Sequence, residues 1–242
     1  WTNWSTLPRV LSCRKALAPA QADGALTEES WQKAARLPPL CKPNGMVVGD
    51  PVEAKVMCDD SNLYISVVCR DADVTAGKAD HDADFEDGDY VRVLLDPKQN
   101  GLGVADFRVS PTGAVSDVLL TGVGRDAADS KLKQDLEALK LEKTGKDWEP
   151  AWKAGVSIQG TIRKVEETAQ DKDTGWTAEM MIPFSSLPAA LFGKPGPGQI
   201  WRMNIIVGES SAKRRWALVP MDDPANGRWV PLLFEAKKVG EN

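Results

Sequence analysis

Two strictly alternating apolar runs on either side of a very acidic connection set the first constraint on how this chain can fold. Leu63, Ile65 and Val67 alternate with Tyr64 and Ser66, and Val91, Val93 and Leu95 alternate with Tyr90, Arg92 and Leu94. Period two places each set on one face of a β-strand and rules out a helix over either run. Between them, residues 71–89 carry eight carboxylates, Asp71, Asp73, Asp80, Asp82, Asp84, Glu86, Asp87 and Asp89, against the single cation Lys78. The only histidine of the chain, His81, lies in the same stretch. That connection is the first place to look for chemistry.

The chain is long enough, at 242 residues and 42% hydrophobic, to bury a good core, and all-β domains of this size are commonly single. A net charge of -5 and a pI near 5.1 give no attraction to phosphate backbones, and no basic cluster exceeds Lys213-Arg214-Arg215, so nucleic acid is not an expected partner. No apolar run approaches the roughly 20 residues of a membrane-spanning helix. The chain opens at Trp1 rather than methionine, as removal of a leader or a choice of boundaries would leave it. Four cysteines, Cys13, Cys41, Cys58 and Cys69, contain no C-x-x-C pair, which argues against a zinc ribbon or a thioredoxin-type site and for an oxidising compartment, secreted or periplasmic. If residues 59–62 form a hairpin turn, Cys58 faces Leu63 and Cys69 faces Val52, about 20 Å away along the ladder, which disfavours a bond between them. The remaining arrangements join Cys13 and Cys41 each to one strand cysteine, or to each other with two buried thiols left free.

Along the chain, residues 1–22 show no clear period and read as an irregular arm, leaving 23–242 as one domain. Asp23-Gly24 marks a turn, LTEESWQKAARL suits a short helix with Thr27 as N-cap, and Pro38-Pro39 stops it. Strands are expected at 53–58, 62–70, 89–96, 104–110, 114–120, 154–165, 175–182, 199–208 and 229–235. A short helical turn fits Pro183 to Phe192. In 126–143 the leucines recur near helical spacing, although Leu139 and Leu141 also alternate as in a strand. Together these elements predict an all-β fold, an antiparallel β-sandwich of jelly-roll type with one or two short helices. Trp31, Trp176 and Trp201 fall on core faces by this pattern, whereas Trp148 and Trp152 in DWEPAW are expected nearer the surface.

An ordered set of short motifs resembles the family 9 carbohydrate-binding modules and the wider DOMON-like sandwich superfamily. It comprises Asp23-Gly24 and Trp31, Asp59-Asp60 with Asn62-Leu63-Tyr64, Asp87-Gly88-Asp89 with Leu95-Asp96, and Phe107 and Val109 before Gly113. Gly175-Trp176, Glu179, Ile182-Pro183-Phe184, and Gly198 with Trp201-Arg202 and Asn204 complete it. The set spans residues 23–204; the arm and the 126–143 insertion depart from the compact family pattern. The resemblance implies a sandwich that binds carbohydrate without catalysis, structural calcium in some members, and haem b held by Met, His or Lys in some relatives. A structural or interaction domain with no small ligand is the further alternative.

Sugar recognition needs flat aromatic faces and planar polar side chains. Trp216 and Trp229 flank the polar loop ALVPMDDPANGR, and with Asn226 and Arg228 they form the expected carbohydrate site. Asp71, Asp80, Asp82, Asp84 and Asp87 supply hard oxygen ligands for calcium, although the same acids also suit a solvated, self-repelling loop. An EF-hand is excluded, because Phe85 stands where its glycine belongs and Val91 where its bidentate glutamate belongs. For haem the ligand candidates are Met57, Met46 and His81, although packing explains a strand methionine better. No carboxylate pair stands out as a glycosidase centre, and with no G-x-S-x-G elbow a hydrolase triad is not expected.

Overall fold

The computed structural model describes residues 10–47, 51–77, 80–83, 85, 87–123, 129–168, 172–211, 213–219 and 229–235, and the backbone of 2–3. Its strands in chain order are β1 Thr2–Asn3, β2 Leu11–Lys15, β3 Ala35–Arg36, β4 Met46–Val47, β5 Val52–Cys58, β6 Asn62–Cys69, β7 Thr75–Ala76 and β8 Tyr90–Asp96. They continue as β9 Gly103–Val109, β10 Val115–Thr121, β11 Lys153–Gln159, β12 Arg163–Lys164, β13 Gly175–Pro183, β14 Ile200–Glu209, β15 Arg214–Ala217 and β16 Val230–Phe234. Two helices, α1 Glu29–Lys33 and α2 Ser130–Leu139, complete it, with a 3-10 turn at Phe184–Ser186.

The main sheet path runs β10-β9-β8-β14-β16-β2-β5-β6-β13-β11, with β15 added to β14 and β3 to β5. Strand β2 folds this path into two layers. Leu11 to Cys13 pair with β16 in one layer, and Arg14 and Lys15 pair with β5 in the other, so a single strand passes from sheet to sheet at the corner of the sandwich. Both of its pairings are parallel, while the other neighbours along the main path are antiparallel. Residues 11–15 are therefore a joining strand, where the sequence suggested an irregular arm, and the sheet is mixed at that point.

The alternation read from sequence decides which side chains fill the space between the layers. Val91, Val93 and Leu95 of β8 meet Ile65, Val67, Trp176, Ala178, Trp201 and Met203 in one continuous core. Fully burying an aliphatic side chain of this kind contributes about 1.5–3 kcal/mol. Two smaller clusters cover the outer faces. Tyr90, Leu94, Val104, Ile206 and Ala217 pack with Phe85 outside the β8–β14 layer, and Trp31, Met57 and Tyr64 pack with Ala20 outside the β5–β6 layer. The β5–β6 register pairs Cys58 with Leu63 and Val52 with Cys69, as the hairpin reading requires.

Helix α1 is shorter than expected and begins after Glu28 rather than Thr27, with no side chain capping it. What holds it is Trp31, buried and tied to β13, rather than local capping. Helix α2 does carry a cap: the Asp129 carboxylate accepts from the amides of Lys131 and Leu132, and Leu132 is its buried anchor. Trp148 is buried and Trp152 half-buried, both against Phe107 (centroids 5.6 and 5.0 Å), so DWEPAW lies closer to the core than its charge suggests.

The resemblance motifs are mostly hydrogen-bond fittings. Asp59 accepts from the amides of Ser61 and Asn62 (2.6 and 2.7 Å) and from the Tyr64 hydroxyl (2.6 Å), which closes the β5–β6 hairpin. Burial would raise this carboxyl, yet those donors outweigh it and hold it below the ordinary range. Glu179 is buried and accepts from the Trp31 indole (2.7 Å) and the Gly24 amide (3.0 Å), joining three motif residues in one node.

Candidate functional site

A cleft of about 550 Å³ opens on the outer face where β8, β14 and β15 end. Its walls are Lys42 and Pro43 on one side, Gly88 and Tyr90 on another, and Gly208 to Ser210 with Lys213 to Arg215 along the third. Strand β15 returns along β14 with Trp216 opposite Val207 and Arg214 opposite Glu209. The segment bearing Lys42 is pinned there by reciprocal backbone bonds between Cys41 and Ala217, both 2.8 Å. Gly208 is required where it is: a Cβ built on it would lie 2.3 Å from the Tyr90 ring, so the missing side chain is what lets that ring lie across β14.

Beneath the cleft, Glu209 is buried and ion-paired with Arg214, whose guanidinium sits 5.3 Å from the centroid of the Trp216 ring. Asp89 accepts from the amide and hydroxyl of Thr75 (2.6 and 3.0 Å) and from the Ser210 amide (2.7 Å), which ties the acidic connection to the turn after β14. Asp71 stands beside it. Burial, with the nearby charges of Asp89 and Glu209, pushes its carboxyl up to about 7.

The sequence-predicted sugar residues separate. Trp216 is 4% exposed and belongs to the core between the layers, because it shares the inward face with its partner Val207. Its indole N–H finds no partner among the described residues. Trp229 is half-buried on the other side of the sheet, against the outer cluster that contains Tyr90, Ile206 and Ala217. The two rings therefore do not face each other across one cleft. Asn226 and Arg228 lie outside the described residues. Sequence pattern missed the contributions of Tyr90 and Arg215, although the basic run 213–215 signalled an exposed strand end.

The expected calcium set also divides. Asp71 joins Asp89 and Glu209, Asp82 joins His81 and Glu149, Asp80 and Asp87 are exposed, and Asp84 lies outside the described residues. Among the described residues these aspartates make no common cage. The one group of three or more metal-type ligands found there is His81, Asp82 and Glu149. Asp117 on β10 lies next to it. Burial, opposed by a bond from the Trp152 indole and reinforced by the charges of Asp82 and Glu149, raises its carboxyl to about 6.

All four cysteines are buried free thiols. Cys13 and Cys58 are neighbours: burial, with the Cys58 thiol beside it, raises the Cys13 thiol well above its usual range. Burial is the largest cause at Cys69, where the charges of Asp71, Asp89 and Glu209 add to it, and at Cys41, which is pushed up to about 11. Of the haem candidates, Met57 is packed among Ala20, Trp31 and Tyr64, Met46 accepts from the Asn44 amide through sulfur (3.3 Å), and His81 faces carboxylates. They do not share a site.

Solved structures with the same architecture are similar along almost the whole chain. A family 9 carbohydrate-binding module from Caldicellulosiruptor kristjanssonii, in complex with cellotriose, matches with a TM-score of 0.56 and 15% identity over 95% of each chain. The chain has the fold of a family 9 carbohydrate-binding module. The same module in complex with glucose matches equally well over 95% of this chain and 97% of that one. A proposed carbohydrate-binding protein of Bacteroides uniformis ATCC 8492 matches with a TM-score of 0.58 and 14% identity, over 94% of this chain and 99% of that one. No family model matches the sequence, and no curated protein does. No helix among the described residues is long and apolar enough to cross a membrane.

Proposed function

We propose that this chain is a non-catalytic carbohydrate-binding module working outside the cytoplasm, secreted or periplasmic, and that sugar seats on the outer face of β8, β14 and β15. The observation that carries the reading is the cleft beside Tyr90. It is large enough for one or two sugar rings, and Arg215, opposite Gly208 on the Tyr90 side of the sheet, lines it, while Arg214 is turned beneath it to Glu209. Trp229, half-buried against the same outer cluster and outside the cleft's lining residues, is the nearest candidate for the flat apolar surface that the C–H face of a pyranose needs. The fold supports this reading, since similar modules were solved with cellotriose and glucose. Binding at such a surface anchors or delivers and requires no reacting pair of carboxylates.

The test is calorimetric titration and affinity electrophoresis with cello-oligosaccharides and a panel of soluble polysaccharides. Trp229→Ala and Arg215→Ala should each weaken binding at least about tenfold, roughly 1.4 kcal/mol, with unchanged folding. Failure of the wild type to bind any glycan overturns the function. Wild-type affinity in both variants overturns the placement.

A further inference from the structure

The second feature of this end of the molecule is independent of the sugar cleft. His81 Nδ1 lies 3.0 Å from Asp82 Oδ2, His81 Nε2 lies 3.9 Å from Glu149 Oε2, and one donor atom from each of the three residues falls within 4.8 Å of the others. A tetrahedral ion with bonds of about 2.1 Å needs donor atoms about 3.4 Å apart; because only one ring nitrogen can ligate it, closing the set requires the carboxylate that faces the other nitrogen to swing towards the shared one.

A third carboxylate stands beside the group. Asp117 is only 1% exposed, its Oδ1 accepts from the Trp152 indole (2.8 Å), and its Oδ2 has no hydrogen-bond partner among the described residues. Its amide donates to Asp82 Oδ1 (3.1 Å), which places it against the same aspartate. A buried carboxylate oxygen whose lone pairs have no donor is costly, and the like charges of Asp82 and Glu149 add to that cost. A cation would relieve both.

The donors sit on braced backbone. Asp82 adopts a left-handed conformation (φ 58°), its amide bonds to the Val115 carbonyl (3.0 Å), and its carbonyl accepts from Lys146 Nζ (3.0 Å). Glu149 follows Trp148 and precedes Trp152, and both rings pack on Phe107, so its backbone is carried by the core. Such bracing lowers the ordering cost of binding.

We propose that His81, Asp82 and Glu149, with Asp117 behind them, form a binding site for a first-row divalent transition ion of the zinc type. The imidazole nitrogen is what separates this set from a calcium cage, which takes oxygen donors alone and more of them.

Tag-free protein stripped with chelator and titrated with Zn2+ tests this by calorimetry and by NMR of the imidazole, unambiguous because His81 is the only histidine. One equivalent should bind and shift the His81 ring signals. His81→Ala and Asp117→Asn should each weaken Zn2+ binding at least tenfold, while Asp80→Asn, an exposed acid of the same loop, should leave it unchanged. The proposal is overturned if Zn2+ does not bind, or if His81→Ala binds it as the wild type does. It is equally overturned if Ca2+ matches Zn2+ in affinity without moving the His81 signals, which would mark a diffuse acidic loop. Because His81 is half exposed, its replacement should fold normally.

Discussion

Glu179 and Asp117 are the same device built twice with different completions. Each is a carboxylate with at most 1% exposure that accepts an indole N–H, from Trp31 at 2.7 Å and from Trp152 at 2.8 Å. At Glu179 the second oxygen is filled by the Gly24 amide. At Asp117 the second oxygen is unfilled among the described residues, and the groups around it are more carboxylates and a histidine. The first node is closed within the fold and can be read as architecture. The second is open, and its openness is what marks it as a place for a ligand.

The strongest way to break this comparison is at the closed node. Glu179→Ala should strand the Trp31 indole and the Gly24 amide in the interior and cost about 3 kcal/mol, seen as a lower denaturation midpoint with an unchanged denaturant slope. Glu179→Gln, which keeps one acceptor for the indole, should lose visibly less. Equal losses in both variants would mean that the charge of Glu179, rather than its hydrogen bonds, holds α1 to the sheet.

The closed node was largely legible in the sequence. Gly24, Trp31 and Glu179 all belong to the ordered motifs, and Trp31 fell on a core face by pattern. The same reasoning failed at β2, because LSCRK is five residues long and its two parallel pairings, to β16 and β5, are set by distant segments. It failed at the cleft for a related reason: the bridge that brings Lys42 to β15 joins Cys41 and Ala217, 176 positions apart. Trp216 was misplaced because four residues of β15 give too little alternation to assign a face without knowing that Val207 lies opposite. At the metal set, His81 and Asp82 stood out as residues of an unusual loop. Nothing local linked them to Asp117 or Glu149.

A pH titration sharpens the contrast with a smaller effect. The folded-state carboxyls of Asp71, at about 7, and Asp117, at about 6, lie above the usual unfolded value near 3.9. Between those limits the folded state holds more protons than the unfolded one, so these groups make stability rise as pH falls from 8 towards 5. Asp59 and Asp73 act oppositely, since their folded values are depressed and the stability they contribute is lost only as pH drops below the unfolded value. Metal-free protein should therefore melt highest near pH 5. Asp71→Asn should flatten the rise on the alkaline side and add about 1–2 kcal/mol at pH 8. A melting temperature that falls steadily from pH 8 to pH 5 would contradict the raised values.

The smallest effect is at the open node itself and is expected to carry the opposite sign to the closed one. Asp117→Asn retains an acceptor for the Trp152 indole, removes a charge facing Asp82 and Glu149, and gives the unfilled position an N–H that can donate to either of them. In chelator at pH 8 it should be neutral or stabilising by less than about 1 kcal/mol, because the lost carboxylate was repelled rather than satisfied. With saturating Zn2+ the order should reverse, since the wild type gains the linkage stabilisation of the bound ion and the variant gains less. The pair of melting curves, with and without metal, thus separates a site from a flaw in packing. A variant destabilised in chelator would make Asp117 a second closed node, comparable to Glu179.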